Sequence, residues 1–149
     1  MNYTLTPAAV EHILPMSNVL DHEEARALEA AGRPPLYAIT TMFHASEERW
    51  TALIDGKPIA MWGVTGGALE TTGEAWLVVA KSIRGHKFAI VRQAMRSLAR
   101  MFETKIVITS SMFCGDVRAS KFAKALGFKI EREDNINGLP VFRAVLRRP

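Results

Sequence analysis

The chain has 149 residues, 48% of them apolar and 23% charged, a balance that argues against disorder and for one globular domain over residues 1–149. No run of about 18 apolar residues occurs, which argues against a membrane-spanning helix, and the lone cysteine, Cys114, excludes an internal disulfide and a cysteine-based zinc cluster. The net charge is +4, but Lys81, Arg84, Lys87, Arg92, Arg96, Arg100 and Lys105 are opposed in their own stretch only by Glu103, so a focused positive region is set in a slightly acidic remainder.

The opening "MNYTLTPAAVEHILPMS" has no positive amino-terminal region and no long apolar stretch, so it does not read as a signal peptide. "NYTL" alternates like a short strand. Thr6-Pro7 has the form of a helix start, with the helix expected to stop near Pro15. Asp21 and Glu24 have capping-box spacing ahead of "HEEARALEAA", which should end at Gly32. Pro35 can open a helix through "LYAITTMFHAS", although its β-branched residues leave a strand open.

"WTALI" and "PIAMWGV" flank Asp55-Gly56, the pair favoured in a tight hairpin turn. Gly66-Gly67 and Thr71-Thr72-Gly73 mark a second reversal, and "EAWLVVAK" reads as a buried strand. From Lys87 to Phe102 the period turns helical. Val91, Met95, Leu98 and Phe102 share one face, while Arg92, Arg96 and Arg100 form a stripe on another. "KIVITSS" is a strand and "DVRASKFAKALGF" a helix with Ala119, Phe122, Ala123 and Leu126 inward and Gly127 at its carboxyl cap. Two strands around an Asn/Gly-rich turn close the chain. The order predicts an α+β fold, a central mixed sheet with helices on both faces.

Three segments carry a family likeness: the "DGKPIAMWGV" hairpin, the strand-loop-helix unit "WLVVAKSIRGHKFAIVRQAM", and "RASKFAKALGFKIERE" with its helix ending in Gly-Phe. In this order they resemble the GNAT superfamily of acyl-CoA N-acyltransferases, over Trp50 to Arg147. The whole chain, with its short first helices, also resembles the GNAT-like internal virion proteins of podoviruses.

The resemblance implies a GNAT-like fold whose fourth strand parts from the fifth, leaving a gap in which the pantetheine of acetyl-CoA pairs with Leu77, Val78 and Val79. It implies a pyrophosphate held at the start of the following helix by Arg84, Gly85, His86, Lys87, Phe88 and Ala89. The family loop reads Gln/Arg-x-x-Gly-x-Gly/Ala. Lys87 replaces the middle glycine, which normally lets backbone approach phosphate, so the loop is degenerate. The tyrosine that many members place four residues before Gly-Phe is Ala123 here.

Glu74 stands where a family base can sit, and Ser111 or Cys114 could replace the missing acid. The bland readings are a turn carboxylate, a loop hydroxyl and an inert thiol. His12, His22 and His44 show no paired ligand spacing, so no metal is expected. The implied function is acetyl-CoA-dependent acyl transfer to an unnamed amine, with the altered loop pointing to weak or lost activity. The alternative is a non-catalytic phage virion or interaction protein, whose basic helix face meets virion proteins or, non-specifically, nucleic acid. No membrane partner is expected, a homodimer through the last strands stays open, and the expected location is the host cytoplasm or the virion.

Overall fold

The structure is a computed structural model that describes residues 3–83 and 86–149, the side chain of Lys87 excepted. The strands are β1 (Tyr3–Pro7), β2 (Glu48–Ile54), β3 (Lys57–Val64), β4 (Thr72–Val79), β5 (Val107–Phe113), β6 (Lys129–Ile136) and β7 (Leu139–Arg147). The helices are α1 (Ile13–Val19), α2 (His22–Ala30), α3 (Pro35–Ala45), α4 (Lys87–Met101) and α5 (Val117–Ala125). The strands make one seven-stranded sheet in the order β1-β2-β3-β4-β5-β7-β6, antiparallel except where β4 meets β5.

The two tight turns follow from local sequence. Asp55 and Gly56 both take positive φ, 51° and 78°, joining β2 to β3, and Asn137 and Gly138 do the same between β6 and β7 with φ of 49° and 85°. Pro35 opens α3 at its first turn, so the segment left open between helix and strand is a helix.

Two expectations near the start fail. Pro7 closes β1 instead of opening a helix, which an edge strand tolerates. Pro15 does not stop a helix either. It lies in the first turn of α1, where a missing N–H removes no intrahelical bond.

Helices cover both faces. Ile13, Met16, Leu20, Ile39 and Phe43 from the first helices are buried, and α1 packs on β3. The Trp76 indole N–H donates to Ser46 Oγ, just past α3, at 2.9 Å, so β4 turns Trp76 to this layer. Gly63 beside it leaves room for that ring, since a Cβ there would stand 3.1 Å from the Trp76 indole and 2.6 Å from the Glu48 carbonyl oxygen.

On the opposite face α4 lies along Trp50 and Trp62, cross-strand partners on β2 and β3. Leu98 and Met101 from α4 and Ala123 from α5 complete the core. No helix among the described residues is long and apolar enough to cross a membrane.

Candidate functional site

The feature that organises the site is a loss of pairing. β4 and β5 run parallel in register only from Thr72–Val107 through Gly73–Ile108 to Glu74–Thr109. Beyond Glu74 they separate. The rest of β4, Ala75 to Val79, stays paired with β3, and β5 continues against β7. A crevice therefore opens between two strands of one sheet, with one strand edge along each wall.

Backbone direction alternates along β4. The Glu74 carbonyl accepts from Thr65 N–H at 2.9 Å and Ala80 N–H donates to the Ile59 carbonyl at 2.8 Å, so the even-numbered residues face β3. The Ala75 carbonyl points the other way and accepts from the Ser110 hydroxyl at 3.4 Å. By the same period the peptide groups of Leu77 and Val79 face the crevice, while those of Val78 face β3. Among these three, Leu77 thus presents free-edge backbone, Val79 adjoins the antiparallel Leu20–Ala80 bridge at the end of the strand, and the Val78 side chain is buried.

At the open end the chain passes through a 3-10 turn, Lys81–Ile83, into α4. His86 is the residue before the helix, and Phe88 and Ala89 lie exposed in its first turn. A helix of 15 residues brings the partial positive charge of its amino end to this point. Arg84, Gly85 and the Lys87 side chain lie outside the described residues.

Glu74 and Ser111 come together. Both line a cleft of about 320 Å³ at the foot of the crevice, with Thr109, Glu131, Arg132 and Arg143. Arg143 Nη1 donates to the Ser111 hydroxyl, and Arg143 Nε lies 3.5 Å from Asp134 Oδ2. The Asn135 N–H holds the Asp134 carboxyl below its ordinary range, with Arg143 and Arg132 adding to the effect against partial burial. The sequence reading passed over Arg143. Its one signal there is an arginine inside the apolar run "PVFRAVL".

Cys114 is not among the residues lining this cleft. It follows the end of β5, about 10 Å along the strand from Ser111. Partial burial and then Glu133 push its thiol up, away from the thiolate form. Ala123 is buried on the inner face of α5, so this helix directs a methyl group where a phenol was sought.

The basic stripe is less free than its spacing suggests. Arg100 Nε pairs with Glu48 at 2.9 Å, and its guanidinium lies 4.9 Å from the Trp50 ring centroid. Lys105 is buried. Arg92 and Arg96 are exposed. His12 is structural: its Nδ1 accepts from Ala9 N–H at 3.0 Å and lies 3.0 Å from the Thr51 hydroxyl. Among the described residues no three His, Cys, Asp or Glu side chains gather as a metal site would require.

Solved structures with this architecture cover nearly the whole chain. A Pyrococcus horikoshii protein superposes with a TM-score of 0.77 at 13% identity, over 99% of both chains. A GNAT-family acetyltransferase from Bacillus anthracis gives 0.72 at 8% identity, over 99% of this chain and 95% of its own. Spermidine N-acetyltransferase from Vibrio cholerae, solved with CoA and spermine, gives 0.71 at 16% identity, over 97% and 95%.

The fold is that of the GNAT acyl-CoA N-acyltransferases.

No family model matches the sequence, and no curated protein matches it by sequence. At 8–16% identity the GNAT fold is shared with little of the sequence. Within the GNAT fold, the parted strands, the amino end of α4 and the cleft at Glu74 occupy one continuous stretch of the sheet.

Proposed function

We propose that the protein binds an acyl-CoA, acetyl-CoA in the simplest case, in the crevice between β4 and β5 and transfers the acyl group to an amine. The observation that carries this reading is the end of β4–β5 pairing at Glu74–Thr109, which leaves the backbone of Leu77 without a strand partner on that side among the described residues. An extended amide-bearing chain such as pantetheine fits this edge as an added strand does. The amino end of α4, with His86, Phe88 and Ala89 about it, suits the pyrophosphate. Arg84, Gly85 and Lys87 belong to the same cradle by sequence.

A bound acyl thioester supplies an electrophilic carbonyl carbon and a thiolate leaving group. In the transfer the amine nitrogen bonds to that carbon as the carbon–sulfur bond breaks, the nitrogen releases its proton to solvent, and the departing thiolate takes one up. Glu74, lining the cleft at the foot of the crevice, is placed to take a proton from an incoming ammonium. The Ser111 hydroxyl, bonded to Arg143, is placed to hold the acceptor. Neither Ala123 nor Cys114 supplies an acid matched to the thiolate, so the sulfur is protonated from solvent and turnover is slow.

Ala123 favours a second reading, a non-catalytic protein that keeps the fold as an interaction module, with a virion component as one form of it. Calorimetry with acetyl-CoA, followed by assay of thiol release, separates the two. The enzyme reading expects saturable heat and a rise of several degrees in melting temperature, since a ligand present at about 100 times its Kd adds about 2.7 kcal/mol to the native state. Lys87→Gly should tighten binding by letting backbone approach the phosphates. Absence of heat and of any shift at millimolar cofactor would remove the acyltransferase reading.

A further inference from the structure

The cleft at Glu74 carries both signs of charge, and they are arranged along it. The register fixes the arrangement. Glu74 stands opposite Thr109, Thr109 opposite Val145, Ser111 opposite Arg143, and Arg143 opposite Arg132. Residues opposite one another in a sheet point to the same face. Helix α5 packs at the other face, where Gly127 at its end sits against Leu146, the partner of Ile108. The polar face of β5, β7 and β6 thus lies open beside the crevice.

At one end of the cleft two guanidinium groups are cross-strand neighbours. Like charges directly opposite on a sheet repel. Asp134 offsets one of them through its 3.5 Å contact with Arg143 Nε. Arg132 is exposed, and Glu131 is engaged with Arg147 at 3.4 Å in a solvent-exposed pair. Arg143 is fixed from two sides, by Ser111 and by Asp134, while its Nη2 makes no hydrogen bond among the described residues. A guanidinium held in place with Nη2 open, beside a second arginine, offers charge-assisted donors to a carboxylate. At the other end Glu74, half-buried, makes no side-chain hydrogen bond or ion pair among the described residues. A lone carboxylate there favours an ammonium.

We infer that the acceptor is an amine that also bears a carboxylate, an amino acid in the simplest case, with its acidic group on Arg143 and Arg132 and its amine at Glu74. This deepens the acyltransferase reading and rests on it for the fate of the amine, but the binding claim has its own readout. The paired arginines disfavour a polycation such as spermine, which would meet like charge at one end of the cleft. The volume, about 320 Å³, is at the low end of the range for ligand pockets and suits a small molecule.

The test compares acids with amides on the unaltered protein. L-alanine, L-methionine and L-glutamate, their α-carboxamides, and spermine are each titrated by calorimetry without cofactor. The expected result is that at least one free acid binds about tenfold or more tighter than its own amide and than spermine, since a charge-assisted contact is lost in the amide. Arg143→Gln should bring acid and amide to within about threefold, with a melting temperature taken alongside to show that the variant is folded. Equal affinity for acid and amide, preference for spermine, or no binding by any acid would each overturn the inference.

The two readings fail separately. Acid-selective binding with no thiol release from acetyl-CoA keeps the ligand class and removes acyl transfer. Thiol release with spermine or the amides as well as with the acids keeps acyl transfer and removes the ligand class.

Discussion

Lys105, between α4 and β5, donates from its Nζ to the carbonyl oxygen of Glu70 at 2.7 Å, and from the same atom to that of Gly67 at 2.6 Å. Its side chain is 2% exposed, the most buried cation among the described residues. Gly73, the second residue of β4, makes the space for it, because a Cβ there would lie 3.2 Å from Lys105 Cε and 2.5 Å from the Thr65 carbonyl oxygen. The ammonium ties the loop ahead of β4 to the entry of β5, at the end where the two strands are still paired. Above that tie they part, so Lys105 holds the closed foot of the crevice.

Lys105→Met keeps most of the packing volume, removes the donor of the Glu70 carbonyl and leaves the Gly67 carbonyl with the Glu70 N–H alone. Hydrogen bonds from a charged group contribute about 1.5–3 kcal/mol, so a loss of about 2 kcal/mol is expected. At about 2–4 °C per kcal/mol for a chain of this size, the melting temperature should fall by about 4–8 °C, with faster amide exchange across 66–71. An unchanged melting temperature would remove the tie from the account.

Glu24 gives a pH dependence. It is half-buried near Asp116, the residue that caps α5, and near Asp21, and its carboxyl is pushed up to about 8, by burial first and then by Asp116 and Asp21. In the unfolded chain it titrates at about 4.3. Between these values the folded state holds the proton more tightly. Its contribution to stability is therefore whole below about pH 4 and is lost as the pH rises towards 8. Thermal melts from pH 5 to 8.5 should show a decline in the wild type and a flatter profile in Glu24→Gln, with the variant the more stable at pH 8.5. A variant that tracks the wild type at every pH would contradict this.

Restoring a phenol to α5 should not restore an acid. Ala123 is buried in the core cluster, and its carbonyl accepts from Phe128 N–H at 3.0 Å. Ala123→Tyr overpacks this site, at a cost of about 1–3 kcal/mol, and its melting temperature should fall by several degrees without a gain in thiol release. A folded variant with wild-type stability and faster turnover would show that the crevice reaches α5 at this position.

Much of the fold was legible from residues 48 to 147. Asp55-Gly56 and Asn137-Gly138 fix their hairpins because few residues accept positive φ in succession. The Asp21 side chain makes no cap hydrogen bond to α2, whereas Asp116, not singled out in the sequence, caps α5, its Oδ1 accepting from Ala119 N–H at 3.0 Å. The amino-terminal prolines were misread because a proline marks a boundary without saying which element it bounds. Pro7 ends a strand and Pro15 begins a helix.

What the sequence settled by itself is local: the tight turns, the helical period of α4 and the polarity of each segment. Those depend on residues a few positions apart. What only the tertiary structure decided is where β4 leaves β5, which of Leu77, Val78 and Val79 turn their backbone to the gap, and that Glu74, Ser111 and Arg143 line one cleft. The span from Glu74 to Arg143 is bridged by strand register, and register is set by the sheet as a whole. Lys105 makes the same point: its charge is written in the sequence, but the carbonyls that draw it inside belong to a loop more than thirty residues earlier.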